Sequence, residues 1–388
     1  MNRVVIDLHK LQHNIDTVNG WMERHGASWT LVTKVLCGHH DTLRALQAIG
    51  VRSIGDSRLT NIRAIDRVYD NQENWYLRLP HFSAIPEIVE RCEVSLNSEI
   101  DIIEAINLEA RRQGRMHRII IMIELGDLRE GILPGSLVEF YEHVFSLSNI
   151  EVLGIGSNLG CLSGAVPSVE QMMQLALYRE LLELKFKHPL PMISAGSSAW
   201  LPMLPEGRVP KEMNHFRIGE SVFLGTDLIS GGCLPDLHDD AITLEGEIVE
   251  IKEKGLIPLV ETHDSLSSFE YSDDNEFTPG QRGYRALLSV GALDTDIGGL
   301  RPVDPGHRVI GGSSDLVVVY VGDDDAGLRL GDSIRFRLSY GALLKLMHSH
   351  YIDKVVTPGI EQYSAGLDSA QQVDVPRVID MEDIATQP

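Results

Sequence analysis

Lys34 closes an apolar, β-branched run, Trp29-Thr30-Leu31-Val32-Thr33, and a glycine-containing loop, Cys37-Gly38-His39, separates it from a helical stretch at 41–49. A lysine at the carboxyl end of a strand stands where α/β proteins collect their reacting groups. With its pKa lowered, such an amine can form a Schiff base with an aldehyde cofactor. Four further stretches carry reactive or anion-binding side chains. They are Glu124-Leu125-Gly126-Asp127-Leu128-Arg129-Glu130-Gly131, Gly156-Ser157-Asn158-Leu159-Gly160, Ser194-Ala195-Gly196-Ser197-Ser198 and His215-Phe216-Arg217-Ile218-Gly219-Glu220. A Gly/Ser loop followed by a glycine that leads into a helix suits a phosphate dianion, because free amides and helix N-termini point at the charge. Each side chain alone also suits a plainer role, Ser197 and Ser198 as helix caps and Arg129 and Arg217 in surface ion pairs. Together, a lysine, a phosphate-type loop and two arginines at strand ends form a coherent set.

These residues need a scaffold that brings several strand ends to one rim. Strand-like segments fall near 30–34, 52–55, 75–79, 92–96, 118–125, 151–156, 190–194 and 213–218. Helical stretches at 9–25, 41–49, 57–68, 98–112, 134–148 and 167–187 flank or divide them. Eight strand–helix units in this length predict a closed parallel (β/α)8 barrel of the TIM type. An open doubly wound sheet is the alternative, but Gly154-Ile155-Gly156-Ser157-Asn158-Leu159-Gly160 has one residue too many for a dinucleotide fingerprint. Beyond Gly231-Gly232 the pattern changes to short strands at 241–252, 284–291, 307–312, 315–322 and 332–339, an all-β module. The expected division is a barrel over 1–230, a β domain over 231–358 and a loosely packed, polar, acidic tail over 359–388. The acidic runs Asp273-Asp274 and Asp323-Asp324-Asp325 lack the alternation of a calcium loop and read as solvated turns, and no metal is expected.

The chain has 388 residues, 34 basic and 56 acidic, for a net charge of −22. Such a surface repels phosphate backbones and anionic membranes, which argues against nucleic acid or membrane partners. Four cysteines (Cys37, Cys92, Cys161, Cys233) fall at no metal-like spacing and fit a reducing compartment. No signal-peptide pattern or membrane-length apolar run is present, and a cytoplasmic location is expected.

The motifs above, with Ile6-Asp7-Leu8, Gly55-Asp56-Ser57-Arg58, Ser95-Leu96-Asn97-Ser98-Glu99 and Asp304-Pro305-Gly306, resemble the alanine racemase family of fold-type III pyridoxal 5'-phosphate (PLP) enzymes. The ornithine/alanine racemase branch is the most similar, and the resemblance runs to about residue 357. It implies a PLP-dependent amino-acid racemase for a small or basic amino acid, ornithine first and alanine second. It also implies a head-to-tail homodimer in which the partner's β domain closes each site. Lys34 would hold PLP and act as acid/base on one face of Cα, and Arg217 would hydrogen-bond the pyridine nitrogen. Arg129 would face the phenolic oxygen or the substrate carboxylate, and Asn158 would contact the cofactor. Ser197, Ser198, Gly219 and Tyr340 would contact the phosphate. The sequence departs from the family at Gly291-Ala292-Leu293-Asp294-Thr295, where alanine racemases carry a tyrosine as the second acid/base. Asp294, Asp296, Tyr284, His307 and Asp315 are the candidates for that role, with Asp294 first. Other PLP reactions, such as retro-aldol cleavage of a β-hydroxy amino acid, and PLP binding without turnover are the alternatives.

Overall fold

The computed structural model describes residues 1–160, 162–258, 260 and 277–370, so Cys161 and the Asp273-Asp274 run lie outside the described residues. Eight parallel strands close into a barrel: β2 (Ser28–Val32), β3 (Ser53–Asp56), β4 (Glu73–Tyr76), β5 (Val94–Asn97), β6 (His117–Met122), β7 (Ile150–Gly156), β8 (Met192–Ser197) and β9 (His215–Ile218). β9 pairs back onto β2 and completes the ring, as the eight-unit pattern predicts. One strand, β1 (Arg3–Asp7), precedes the barrel, and ten helices are numbered here in chain order. They are α1 (Leu8–His25), α2 (His40–Ile49), α3 (Leu59–Asp66), α4 (Ile85–Arg91), α5 (Ile100–Gln113), α6 (Leu137–Val144), α7 (Val169–Phe186), α8 (Glu220–Leu224), α9 (Tyr340–His348) and α10 (Ile360–Ala370).

Strand geometry sorts the side chains. Successive residues point to opposite faces of a strand, so Ile120 and Met122 of β6 join Trp75, Val94, Leu96 and Met192 in a cluster separate from the main core. Ile119 and Ile121 belong to that main core. On β9 the same alternation puts Phe216 and Ile218 in the main core, whereas His215 stacks on Trp75 with ring centroids 4.4 Å apart. Arg217, two residues on from His215, shares its face.

Two histidines are enclosed by this packing. His215 bonds Thr30 Oγ1 at 3.0 Å and Ser194 Oγ at 2.8 Å, and His117 bonds Ser95 Oγ at 2.9 Å. Burial holds the His215 ring down to about 3 and the His117 ring down to about 4, with a neighbouring arginine adding to each effect. The unfolded chain takes up the protons that the fold refuses. Stability is therefore complete above the ordinary histidine range near pH 6.5 and is lost as pH falls toward 4 and 3. At pH 5 each ring should already cost about 2 kcal/mol. Urea midpoints measured from pH 7.5 down to 5 should fall accordingly, and a flat profile would contradict the buried neutral rings.

The second domain is an antiparallel sheet in the order β12–β15–β10–β11–β14–β13. Its strands are β10 (Ile242–Gly255), β11 (Arg282–Leu288), β12 (Leu300–Pro302), β13 (Arg308–Gly312), β14 (Val317–Gly322) and β15 (Ser333–Leu338). β16 (Asp353–Thr357) pairs with β1, in parallel, and β1 in turn pairs with β10, antiparallel. The stretch expected to be all barrel therefore gives its first strand to the other sheet. Val4 and Ile6, both fully buried, drive this placement. Asp7 ends that strand and caps α1, accepting from His9 N and Lys10 N at 3.1 Å.

The expected loose tail is corrected over its first part. Residues from Ile360 form α10, which packs on α2, with Ile360 and Tyr363 buried and the Tyr363 hydroxyl donating to Gln12 Oε1 at 2.8 Å. Residues 371–388 lie outside the described residues. α9 packs against the turn that carries Lys34, so the second domain reaches the barrel rim within one chain. Among the described residues, no helix is long and apolar enough to cross a membrane, and no group of three or more His, Cys, Asp or Glu could hold a metal ion.

Candidate active site

Lys34 opens a single 3-10 turn, Lys34–Leu36, immediately after β2, and Cys37, in the left-handed region at φ 51°, closes it by donating its N–H to Lys34 O. The residue before it is tied down: the Thr33 hydroxyl donates to Asp56 Oδ2 at 3.1 Å. Asp56 is fully buried and also accepts from Ser57 N at 2.7 Å, Arg58 N at 3.0 Å and Asn61 Nδ2 at 3.1 Å. Burial pushes the Asp56 carboxyl above the usual range, and those four donors pull against it. The half-buried lysine therefore projects from a turn with a fixed base.

Arg217, 7% exposed, spreads its guanidinium over β8 and the loop after β7. Nη1 donates to the Ser194 carbonyl and hydroxyl, while Nη2 donates to Ser157 O at 2.9 Å and Asn158 Oδ1 at 2.6 Å. Ser194 Oγ also meets His215 Nδ1, so the histidine packed on Trp75 supports the serine that supports the arginine. On the other side, Asn158 Nδ2 donates to Glu130 Oε1, and Glu130 Oε2 pairs with Arg129 Nε at 2.6 Å. Three residues singled out in the sequence, Arg129, Asn158 and Arg217, thus lie on one hydrogen-bonded chain.

Glu130, the link, is not among the residues the sequence singles out, although it stands in the quoted Arg129-Glu130-Gly131 run. An acid next to an arginine ordinarily signals a solvated face. Here Gly131 at φ 142° lets the chain double back, and a Cβ there would lie 2.3 Å from Glu124 N, a space that only glycine leaves open. The returning chain places the Glu124 carboxylate under the amides of Gly126, Leu128 and Arg129. Asp127, 1% exposed, accepts from Leu162 N at 3.1 Å and Ser163 N at 3.2 Å, pinning the loop after β7 to the loop after β6.

Ser197 ends β8, Ser198 opens the 3-10 helix that follows, and Ser198 Oγ, buried, accepts from Ser221 N at 3.4 Å. Gly219 stands at the head of α8, where a Cβ would come 2.7 Å from Val32 O, just before Thr33 and Lys34. Tyr340 begins α9, the helix packed on the lysine turn, and Ser339 caps that helix through Ala342 N at 3.2 Å. The donor set fits PLP. Its hydroxyls and amides suit a phosphate, and beside Arg217, which bonds the Ser157 carbonyl, the Ser157 Oγ is buried without a hydrogen-bond partner.

The candidates for a second acid/base lie apart from this chain. Asp294 accepts from Gly291 N at 3.2 Å and from Ser349 Oγ at 3.5 Å, both in the second domain. Asp315 accepts from the adjacent Ser314 hydroxyl, and His307 stands 3.9 Å from Asp304.

Residues 6–227 match a family model described as the alanine racemase N-terminal domain. An ornithine racemase of Acetoanaerobium sticklandii is 33% identical over 354 residues, covering 91% of this chain and 98% of that protein. A lysine racemase of Thermotoga maritima is 32% identical over 358 residues, covering 92% and 99%. Among solved structures, alanine racemase from Streptomyces coelicolor superposes with a TM-score of 0.69 at 17% identity, over 92% of this chain and 98% of that one. At that identity the superposition speaks for the fold, a barrel followed by a β domain.

Proposed function

Because the chain belongs to the alanine racemase family, whose members are PLP enzymes, we propose that it interconverts the L and D forms of an amino acid with a distal amine, ornithine first and lysine next, on PLP held by Lys34. The observation that carries this reading is the Arg217 guanidinium, buried on the barrel's inner side and joined through Asn158 and Glu130 to Arg129. PLP, when bound, supplies an electron sink that lets the Cα–H bond of an attached amino acid ionise.

The chain's own residues do the rest. The Lys34 amine takes and returns the Cα proton on one face. Arg217 would hydrogen-bond the ring nitrogen, and a guanidinium with a pKa above about 12 does not give that nitrogen its proton. Charge accordingly stays near Cα, which favours prompt reprotonation there over bond cleavage elsewhere. Ser197, Ser198, Gly219 and Tyr340 would hold the phosphate, and Arg129 would serve the phenolic oxygen or the substrate carboxylate. Inversion needs a second proton donor on the opposite face. It is assigned to the loop after β11, with Asp294 as its acid, delivered by a partner copy in a head-to-tail dimer.

The test is incubation with PLP and L-ornithine, L-lysine or L-alanine in D2O. Deuterium should enter Cα as the D-enantiomer accumulates, fastest with ornithine. Exchange at Cα with retention of configuration would show a single working base and overturn the racemase reading.

A further inference from the structure

An amide has two unlike ends, and Arg217 can only donate. For Asn158 to accept from Arg217, its oxygen must face the guanidinium, and its NH2 must then face an acceptor on the other side. Glu130 is that acceptor, with a side chain only 8% exposed, and its second oxygen pairs with Arg129. The carboxylate therefore does two things: it gives the amide one direction, and it stands between two guanidinium groups of like charge. The other acids of this loop are engaged elsewhere, Glu124 with the amides of its own loop and Asp127 with Leu162 N and Ser163 N.

We propose that Glu130 is a positioning residue for racemisation: it orients the Asn158 amide and so holds Arg217 in place for the ring nitrogen. The proposal rests on the racemase reading for its kinetic consequence but not for its geometry. In Glu130→Gln the side chain can present NH2 to Asn158, turning that amide so that its own NH2 opposes Arg217. In Asn158→Asp alone, two carboxylates abut. In the double variant every donor again faces an acceptor. The new amide at position 130 accepts from Arg129 and donates to the new carboxylate at position 158, which in turn accepts from Arg217.

Each single variant should lose about 10- to 100-fold in kcat/KM, mainly in kcat, the range expected when a buried donor loses its acceptor. The double variant should recover to within about threefold of wild type, a coupling that independent structural damage does not produce. Crystal structures of the PLP-free proteins give a second readout. The contact between Arg217 and Asn158 should open in Glu130→Gln, and in the double variant the guanidinium should close again onto the carboxylate that replaces the amide. Single variants with unchanged kinetics and unmoved side chains, or a double variant no better than either single one, would overturn the proposal. A wild-type protein that takes up no PLP would sink the racemase reading instead, and the crystal comparison would still decide whether Glu130 orients Asn158.

Discussion

Lys34→Ala should remove racemisation, lowering turnover by at least about 10^3-fold, and the variant should no longer retain PLP covalently. The second effect is read without turnover, by borohydride reduction and mass measurement. Wild type should gain the mass of reduced PLP on the peptide containing Lys34, and the variant should gain none. The fold should survive, because the bonds that shape this turn belong to other atoms. Cys37 N reaches the Lys34 carbonyl, and Thr33 reaches Asp56, both independent of the lysine side chain. The turn should therefore keep its shape in the variant, read as an unchanged far-ultraviolet circular dichroism spectrum. Retained turnover in the variant would remove the lysine from the chemistry altogether.

Arg217→Gln should damage stability and rate together, and the two can be separated. The native guanidinium satisfies Ser157 O, the Ser194 carbonyl and hydroxyl, and Asn158 Oδ1 at a nearly closed site. A glutamine amide cannot reach all of them, so buried acceptors are left bare at a cost of about 2–4 kcal/mol in urea unfolding. If Arg217 also holds the ring nitrogen, kcat at temperatures where the variant is fully folded should fall by about 100-fold beyond any population effect. Arg217→Lys keeps the charge but offers one compact ammonium in place of a planar fork, and it should not restore the rate. A folded glutamine variant with wild-type kcat would show that the arginine is a structural strut alone.

The barrel is legible because each of its strands is a compact apolar or β-branched run bounded by turn residues. The ends differ by a few residues: the pattern points to 75–79 where the strand is Glu73–Tyr76. Three strands of the second sheet, β1, β12 and β16, are not legible. Each has three to five residues, and what makes it a strand is a neighbour distant in sequence, as when Arg3 pairs with both Glu245 and Asp353. The same holds for α10, whose Tyr363 reads as an isolated aromatic in a polar tail until Gln12 and α2 are brought beside it. At the rim, Lys34, Arg129, Asn158 and Arg217 announce themselves by strand-end position. Glu130 does not, because its meaning lies in touching Asn158, a residue from the next strand end. The second acid/base is not legible for a related reason. Asp294 bonds Gly291 N and Ser349 Oγ of its own domain, and nothing in its local sequence distinguishes it from an acid that merely closes a turn.

The placement of Arg3–Asp7 between β10 and β16 also bears on how the chain is made. This segment must wait for one flanking strand until Ile242–Gly255 has been made and for the other until Asp353–Thr357 has. Closure of that sheet is thus a late, long-range event, of the kind that slows folding. Any nascent chain halted before Asp353 would carry a bare hydrogen-bonding edge along its first strand, open to pairing with another unfinished chain.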